Sequence, residues 1–211
     1  DPRLAGKKNA MIADPQRFAA TLAAIDAANA EDPNVEEGQP KELLYGRRMS
    51  AMLARFAPEA AEAVQLAVRA QHVERWKTPR SDYPMDRAGY LQWRSGLYAF
   101  HAETAGRLLQ EAGYDAETID RVKAAVGKRG IKSNAETQLL EDVTDLVFLE
   151  HYLAGFFARH PDYDEAKWID IIRKTWQKMS AAAREFVLAG KVSLPETARP
   201  LILKAVNPPG G

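Results

Sequence analysis

Apolar residues recur at spacings of three and four along most of the chain, and no segment alternates with the β-branched content typical of a strand. The pattern predicts an all-α fold, a single-domain helical bundle. Prolines, glycines and short polar side chains mark where the helices begin and end. The predicted helices cover about residues 14–31, 41–56, 58–75, 87–112, 115 to the GKRG sequence at 127–130, 134–158 and 164–189.

No internal repeat, low-complexity tract or long linker divides the chain, so residues 12–190 are predicted to form one helical domain. Residues 1–11 are predicted to be a tail or an added remnant, because MIADPQRF, beginning at Met11, is typical of a natural start. Residues 191–211 are rich in proline and are predicted to be a loosely attached C-terminal tail.

Composition narrows the chemistry that the chain can carry. Its 211 residues can bury a sizeable core, and 29 Lys and Arg balance 29 Asp and Glu. A net charge of zero argues against general binding to nucleic acid or to a membrane surface, so any anion site must be local. The chain has no cysteine, which excludes disulfides, thiolate ligands and cysteine nucleophiles and leaves His, Asp and Glu to bind any metal.

The expected location is the cytoplasm. No apolar stretch approaches the roughly 18 to 20 residues of a membrane span, and the opening DPRLAGKKNA has no apolar core of a signal peptide. No membrane partner is therefore expected, and the sequence leaves the oligomeric state open.

Three titratable residues lie on apolar faces of predicted helices. His72 follows Val68 by four residues, His101 follows Leu97 by four, and Asp142 lies on a leucine-rich face. A buried carboxylate needs a partner, and two imidazoles with one carboxylate would form an open metal site that keeps water as a ligand. The expected cofactor is a divalent ion of Mn, Fe, Zn, Co or Ni.

A structural interpretation stays open beside the metal site. A single histidine on an apolar face is more often a hydrogen-bonded core residue, and His151 and His160 are interpreted as structural or surface residues. Glu74 and Glu141, which neighbour two of the predicted ligands, are the candidate general bases.

Basic and aromatic residues alternate in segment 75–94, RWKTPRSDYPMDRAGYLQWR. Arginine forks bind phosphate through paired hydrogen bonds, and aromatic rings stack on bases. The segment therefore indicates a local anion site, although a solvated loop with core aromatics explains it equally well. The candidate substrate-binding residues are Arg75, Arg80, Arg87, Tyr90, Arg94, Lys128 and Lys132.

Long motifs in the chain resemble the uncharacterised family called domain of unknown function 4202. They are PKELLYGRRMSAML, RAQHVERWKTPRSDYPMDRAGYLQWR, FHAETAG and LEDVTDLVFLEHY, and the resemblance covers residues 12–182. The layout is also similar to the HD-domain superfamily of all-helical, metal-dependent phosphohydrolases. That similarity implies that His72 stands for the histidine of the His-Asp pair and Asp142 for the last aspartate.

The chain departs from the HD pattern in two places. Val73 occupies the position of the paired aspartate, and Tyr45 or Arg48 lies near the expected first histidine. His101 would restore a ligand from another helix. P-loop, dinucleotide-binding, zincin and nucleophile-elbow motifs are absent from the sequence, so those classes of enzyme have no support.

Three hypotheses follow. The first is a metal-dependent hydrolase of a small phosphorylated substrate, such as a nucleotide, with the predicted metal ligands activating water and the arginines binding phosphate. The second is a metal-free module that binds a nucleotide or RNA through segment 75–94. The third is an interaction protein whose helices 134–158 and 164–189 pack against a partner.

Overall fold

The computed structural model describes residues 12–207, so the predicted tail at 1–11 lies outside the described residues. Within this range the chain forms ten α-helices, two short 3-10 turns, one π-helical turn and a two-stranded ladder, which confirms the all-α class. The α-helices are α1 Pro15–Asn29, α2 Lys41–Phe56, α3 Glu62–Ala70, α4 Arg87–Glu111, α5 Ala116–Val126, α6 Ala135–Val147, α7 Leu153–Arg159, α8 Glu165–Lys178, α9 Ala181–Leu188 and α10 Arg199–Val206.

The chain divides into two compact units, Asp1–Leu140 and Glu141–Gly211, and the division falls within α6. The first unit contains α1 to α5, with α4 packed against α5 and α3 packed against both α2 and α5. Its core includes large side chains that are almost completely buried: Ile25, Met49, Met52, Leu66, Leu97 and Leu109.

Side chains and tight turns fix the start of the helices in the first unit. Asp14, Asp86 and Asp115 accept hydrogen bonds from backbone amides in the first turns of α1, α4 and α5. Before α2, strand β1 (Val35–Glu36) pairs antiparallel with β2 (Gln39–Pro40). Asp32 then accepts a hydrogen bond from the Glu42 amide at 2.9 Å, which fixes the first turn of α2.

Helix α3 is shorter than the sequence pattern predicts. It begins at Glu62, beyond Pro58, and ends at Ala70, after which residues 71–74 form turns. Glu74 has a left-handed backbone with φ of 55°, and its amide donates to Asn29 Oδ1 at 3.0 Å. His72 therefore lies in a turn after α3 and not on the helix itself.

The second unit holds the end of α6 and helices α7 to α10. The predicted helix 134–158 contains a π-helical turn at Phe148–Tyr152, and the predicted helix 164–189 is broken at Met179, whose backbone is extended. Ser180 then caps α9 by accepting a hydrogen bond from the Ala183 amide. Helix α10 packs against α8, and Trp168 contacts an aromatic cluster that includes Phe157 at a ring distance of 3.9 Å.

Between residues 12 and 207, no helix is long and apolar enough to cross a membrane.

Candidate functional site

The candidate site lies in the first unit, where α2, the turn after α3 and α4 meet around His72. We call it the His72 pocket and define it by Glu42, Tyr45, His72, Arg75 and His101. Glu42 and Tyr45 lie one turn apart on α2, and the Tyr45 ring stacks on His72 with centroids 3.9 Å apart and planes 8° apart. His101 comes from α4, with its ring 5.8 Å from that of His72.

The hydrogen bonds of His72 define its tautomer. Arg75 Nη1 lies 2.9 Å from His72 Nε2, and because a guanidinium can only donate, Nε2 is the acceptor. The ring proton is therefore on Nδ1, which faces Glu42 Oε2 at 3.3 Å. His72 thus connects the Glu42 carboxyl with the Arg75 guanidinium, and 21% of its side chain is exposed.

His101 presents an unpartnered acceptor inside the same pocket. Its Nδ1 donates to the Val73 carbonyl at 3.0 Å, because a carbonyl can only accept. The proton on Nδ1 leaves Nε2 as an acceptor. Within the described part of the chain this buried Nε2 has no hydrogen-bond partner. Oε2 of Glu42 also has none, because its 3.3 Å contact with Nδ1 of His72 does not have the geometry of a hydrogen bond. Buried polar atoms without partners are rare, so this part of the pocket is suited to a polar ligand or water.

The Glu42 carboxyl changes its protonation near neutral pH. Burial raises the pKa of Glu42 to about 7, against the opposing charge of Arg75. Its residue surface is only 4% exposed. A carboxyl with such a pKa can accept a proton from a reacting group at neutral pH, which is the property of a general base.

Both histidines of the pocket are neutral at neutral pH. Burial, with a smaller contribution from the nearby His72, lowers the pKa of His101 to about 3. For His72, burial lowers the pKa well below the ordinary value. Four cations act in the same direction, and in decreasing order of effect they are Arg75, Lys128, Lys41 and Arg94. The pocket therefore combines uncharged imidazoles with a concentration of positive charge, which favours an anionic ligand.

Arg75 is the cation that contacts His72, and most of its guanidinium N–H donors are not used by protein partners among the described residues. Within residues 12–207 its guanidinium makes one hydrogen bond, to His72, and its central carbon lies 5.4 Å from the centroid of the Trp93 ring. A guanidinium has five N–H donors, so four of them remain for a ligand. The side chain is half-buried between the imidazole and the indole, which limits the number of orientations it can adopt.

The other predicted substrate-binding residues divide into two groups. Arg94 donates to the hydroxyls of Tyr90 and Tyr98, and Lys128 Nζ lies 5.2 Å from the Tyr98 ring centroid. The charges of both residues lower the pKa of His72, so both are near the pocket. Arg80 donates instead to three backbone carbonyls of its own loop. Arg87 and Lys132 are exposed, and among residues 12–207 neither side chain is in a hydrogen bond, ion pair or ring contact with His72.

The predicted catalytic carboxylates have other partners. Glu74 forms an ion pair with Lys77 at 3.0 Å in the first unit. Glu141 lies in the second unit, where its Oε1 is 3.5 Å from Lys178 Nζ. Glu42, which the sequence interpretation missed, is the carboxyl in contact with His72. One signal could have identified it, since Glu42 precedes the buried residues Tyr45 and Met49 by three and seven positions on the same helix face.

The predicted metal ligands are occupied by protein partners to different degrees. Asp142, in the second unit, accepts hydrogen bonds from the Ser180 amide at 2.8 Å and from the Ser180 hydroxyl at 2.5 Å. Nε2 of His72 accepts from Arg75, whereas Nε2 of His101 is open. Across the described residues, no three His, Asp or Glu side chains form a group that could hold a metal ion. The unpartnered atoms of the His72 pocket, Nε2 of His101 and Oε2 of Glu42, are both acceptors, and the donors that a phosphate needs come from Arg75.

Comparison with known proteins identifies a family whose profile covers most of the chain. The profile described as Domain of unknown function (DUF4202) matches residues 19–202. No curated protein and no solved structure matches the chain.

Proposed function

Since the chain belongs to the DUF4202 family, whose description names no activity, we propose from the site alone that it hydrolyses the phosphate ester of a small phosphorylated compound in the His72 pocket. One observation carries the proposal. A buried carboxyl with a pKa of about 7 and an arginine with spare donors lie on opposite sides of one neutral imidazole.

The charges around His72 support the binding half of the proposal. A phosphate carries oxygens that match the forked donors of a guanidinium, and such charge-assisted hydrogen bonds are roughly twice as strong as neutral ones. Arg75 supplies the fork, and Lys41, Arg94 and Lys128 add positive charge near enough to act on His72. The same donors would stabilise the charge that develops on the phosphoryl oxygens during the reaction.

Glu42 supports the catalytic half. In the proposed step a water oxygen forms a bond to phosphorus, and the ester P–O bond breaks. Glu42 accepts one proton from the water and returns it to the leaving oxygen, so the carboxyl ends unchanged. Nδ1 of His72 lies 3.3 Å from the Glu42 carboxyl, and Nε2 of the same ring accepts a hydrogen bond from Arg75, so the base lies close to the phosphate site.

Release of inorganic phosphate from a panel of sugar phosphates and nucleotides tests this function. We expect the wild type to release phosphate with a rate that rises with pH through about 7, as Glu42 ionises. Glu42→Gln keeps the side-chain shape and removes the base, so we expect it to lower kcat by roughly 100-fold or more with little change in substrate affinity.

One control variant and two further outcomes make the panel decisive. Glu74→Gln removes a predicted base that is paired with Lys77, and it is expected to retain the wild-type kcat. Phosphate release that is equal in the wild type and in Glu42→Gln would contradict the role of Glu42. Binding of the panel without any release would favour the second candidate function, a metal-free module that binds a nucleotide or RNA.

An HD-like fold with a metal ion remains the alternative form of the hydrolase. Its support is Nε2 of buried His101, which has no hydrogen-bond partner among the described residues and is a good ligand atom for a divalent ion such as Mn, Fe, Zn, Co or Ni. The bonds of Arg75 to His72 and of Ser180 to Asp142 occupy the other two predicted ligands. No step of the proposed reaction depends on a metal, and chelator treatment before ligand titration separates the two forms.

A further inference from the structure

We infer that Tyr90 and Trp93 form a base-binding subsite beside the His72 pocket, so that the phosphorylated substrate is a nucleotide. The inference rests on the proposed function, because the phosphate of the nucleotide would occupy the His72 pocket. It adds a second contact, between an aromatic base and the exposed ring of Tyr90, that a sugar phosphate cannot make.

Tyr90 presents its ring to solvent between two cations. The residue is 42% exposed, although it lies in the first turn of α4, where an ordinary core aromatic would be covered. The guanidinium carbons of Arg80 and Arg94 each lie 5.9 Å from the centroid of the ring. An exposed ring with cations beside it suits a planar, electron-rich base, which gains from stacking and from contact with the guanidinium planes.

Both cations are fixed by the protein before any ligand binds. Arg80 donates to the carbonyls of Tyr83, Pro84 and Asp86, the shortest of these bonds being 2.7 Å. Arg94 donates to the hydroxyls of Tyr90 and Tyr98 at 3.2 and 2.6 Å. A site that is already ordered loses less side-chain entropy on binding, so its contacts contribute more fully to affinity.

Trp93 connects this subsite with the phosphate site. Its ring lies 6.0 Å from that of Tyr90, and the Arg75 guanidinium lies 5.4 Å from it. The indole is oriented by its own hydrogen bond to the Thr78 carbonyl at 2.9 Å. The Trp93 ring thus lies between the proposed base site at Tyr90 and the proposed phosphate site at Arg75. This arrangement suits a ligand with a base at one end and phosphate at the other.

Calorimetric titration of adenosine 5′-monophosphate and ribose 5-phosphate into the full chain tests the subsite. We expect the nucleotide to bind the wild type roughly 10-fold or more tightly than ribose 5-phosphate, the effect of one base stacked on an aromatic ring. Tyr90→Ala should remove most of this ratio, whereas Tyr90→Phe, which keeps the ring and loses the hydroxyl bonded to Arg94, should retain it. Leu91→Ala is the matched control, since Leu91 is also exposed at 52% and is the next residue on the helix.

Each outcome has one meaning. Equal affinity of the wild type for the two ligands, or a ratio that survives Tyr90→Ala, overturns the subsite while leaving the phosphate pocket intact. Absence of binding by both ligands overturns the subsite and the proposed function together. Much tighter binding of a single-stranded oligoribonucleotide, weakening steeply with salt, would overturn the nucleotide assignment in favour of RNA.

Discussion

At the scale of single residues, Glu42 is the side chain whose position most constrains the chemistry. A carboxyl with a pKa of about 7 and 4% exposure is costly to ionise in the folded protein. Its ionisation therefore lowers the free energy of unfolding. The pocket supplies partial compensation through His72 and Arg75. The same features that make Glu42 suitable as a base therefore make it a source of pH-dependent stability.

The stability prediction for Glu42 follows from the direction of its shift. Between about pH 4.5 and 7 the folded state binds more protons than the unfolded state at this residue, so its contribution to the free energy of unfolding falls as pH rises. The shift corresponds to about 3 kcal/mol once the carboxyl is ionised in both states. Glu42→Gln should therefore unfold at higher denaturant concentration than the wild type at pH 8 and gain little at pH 4.5.

Denaturant unfolding at both pH values measures this difference. Glu59→Gln, at an exposed position, controls for the loss of one negative charge. A gain in stability for Glu42→Gln that is the same at pH 4.5 and at pH 8 would contradict a buried carboxyl that ionises near neutrality.

At the scale of elements, the start of α4 decides where Tyr90 and Arg80 lie. Gly89 is buried, and a Cβ at this position would lie 1.9 Å from the Pro84 carbonyl oxygen. That carbonyl also accepts the shortest hydrogen bond of Arg80. The close approach of the loop to α4 therefore requires glycine and fixes the cation beside Tyr90.

Gly89→Ala is predicted to displace the Pro84 backbone, because a backbone oxygen cannot move aside as a flexible side chain can. We expect a loss of about 2 kcal/mol or more in the free energy of unfolding, measured by denaturant unfolding. Gly155→Ala in α7 is the matched helical control, because its Cβ would meet only Arg159 at 3.4 Å. Equal stability of Gly89→Ala and the wild type would show that the loop does not need this contact.

The elements also show which features the sequence could predict. Helices α2 and α4 were predicted within one residue, since each has clear boundaries in the sequence, with Pro40 before α2 and Gly113 after α4. The ladder of Val35–Glu36 with Gln39–Pro40 was missed, because strands of two residues carry no periodicity. The break at Met179 was missed because the apolar pattern continues through it.

His72 and His101 were found from spacing, whereas the contact with Glu42 depends on how α2 packs beside α3, which spacing does not reveal.

At the scale of the whole molecule, charge is balanced overall and concentrated locally. The 29 basic and 29 acidic residues cancel, yet four cations in one unit act on a single imidazole. Binding of a small anion should therefore depend on specific side chains and not on the general field of the protein. Arg75 and Lys77 permit a direct comparison, because they are two residues apart and only Arg75 contacts His72.

The measurement that tests the central claim most directly is calorimetric titration of inorganic phosphate into chelator-treated wild type, Arg75→Ala and Lys77→Ala. We expect the wild type to bind phosphate without added metal, Arg75→Ala to bind it roughly 10-fold or more weakly, and Lys77→Ala to stay within about twofold of the wild type. No binding by the wild type, or equal weakening in both variants, would contradict the His72 pocket as the phosphate site. Binding that returns only after a divalent metal is added would instead favour the metal-dependent form.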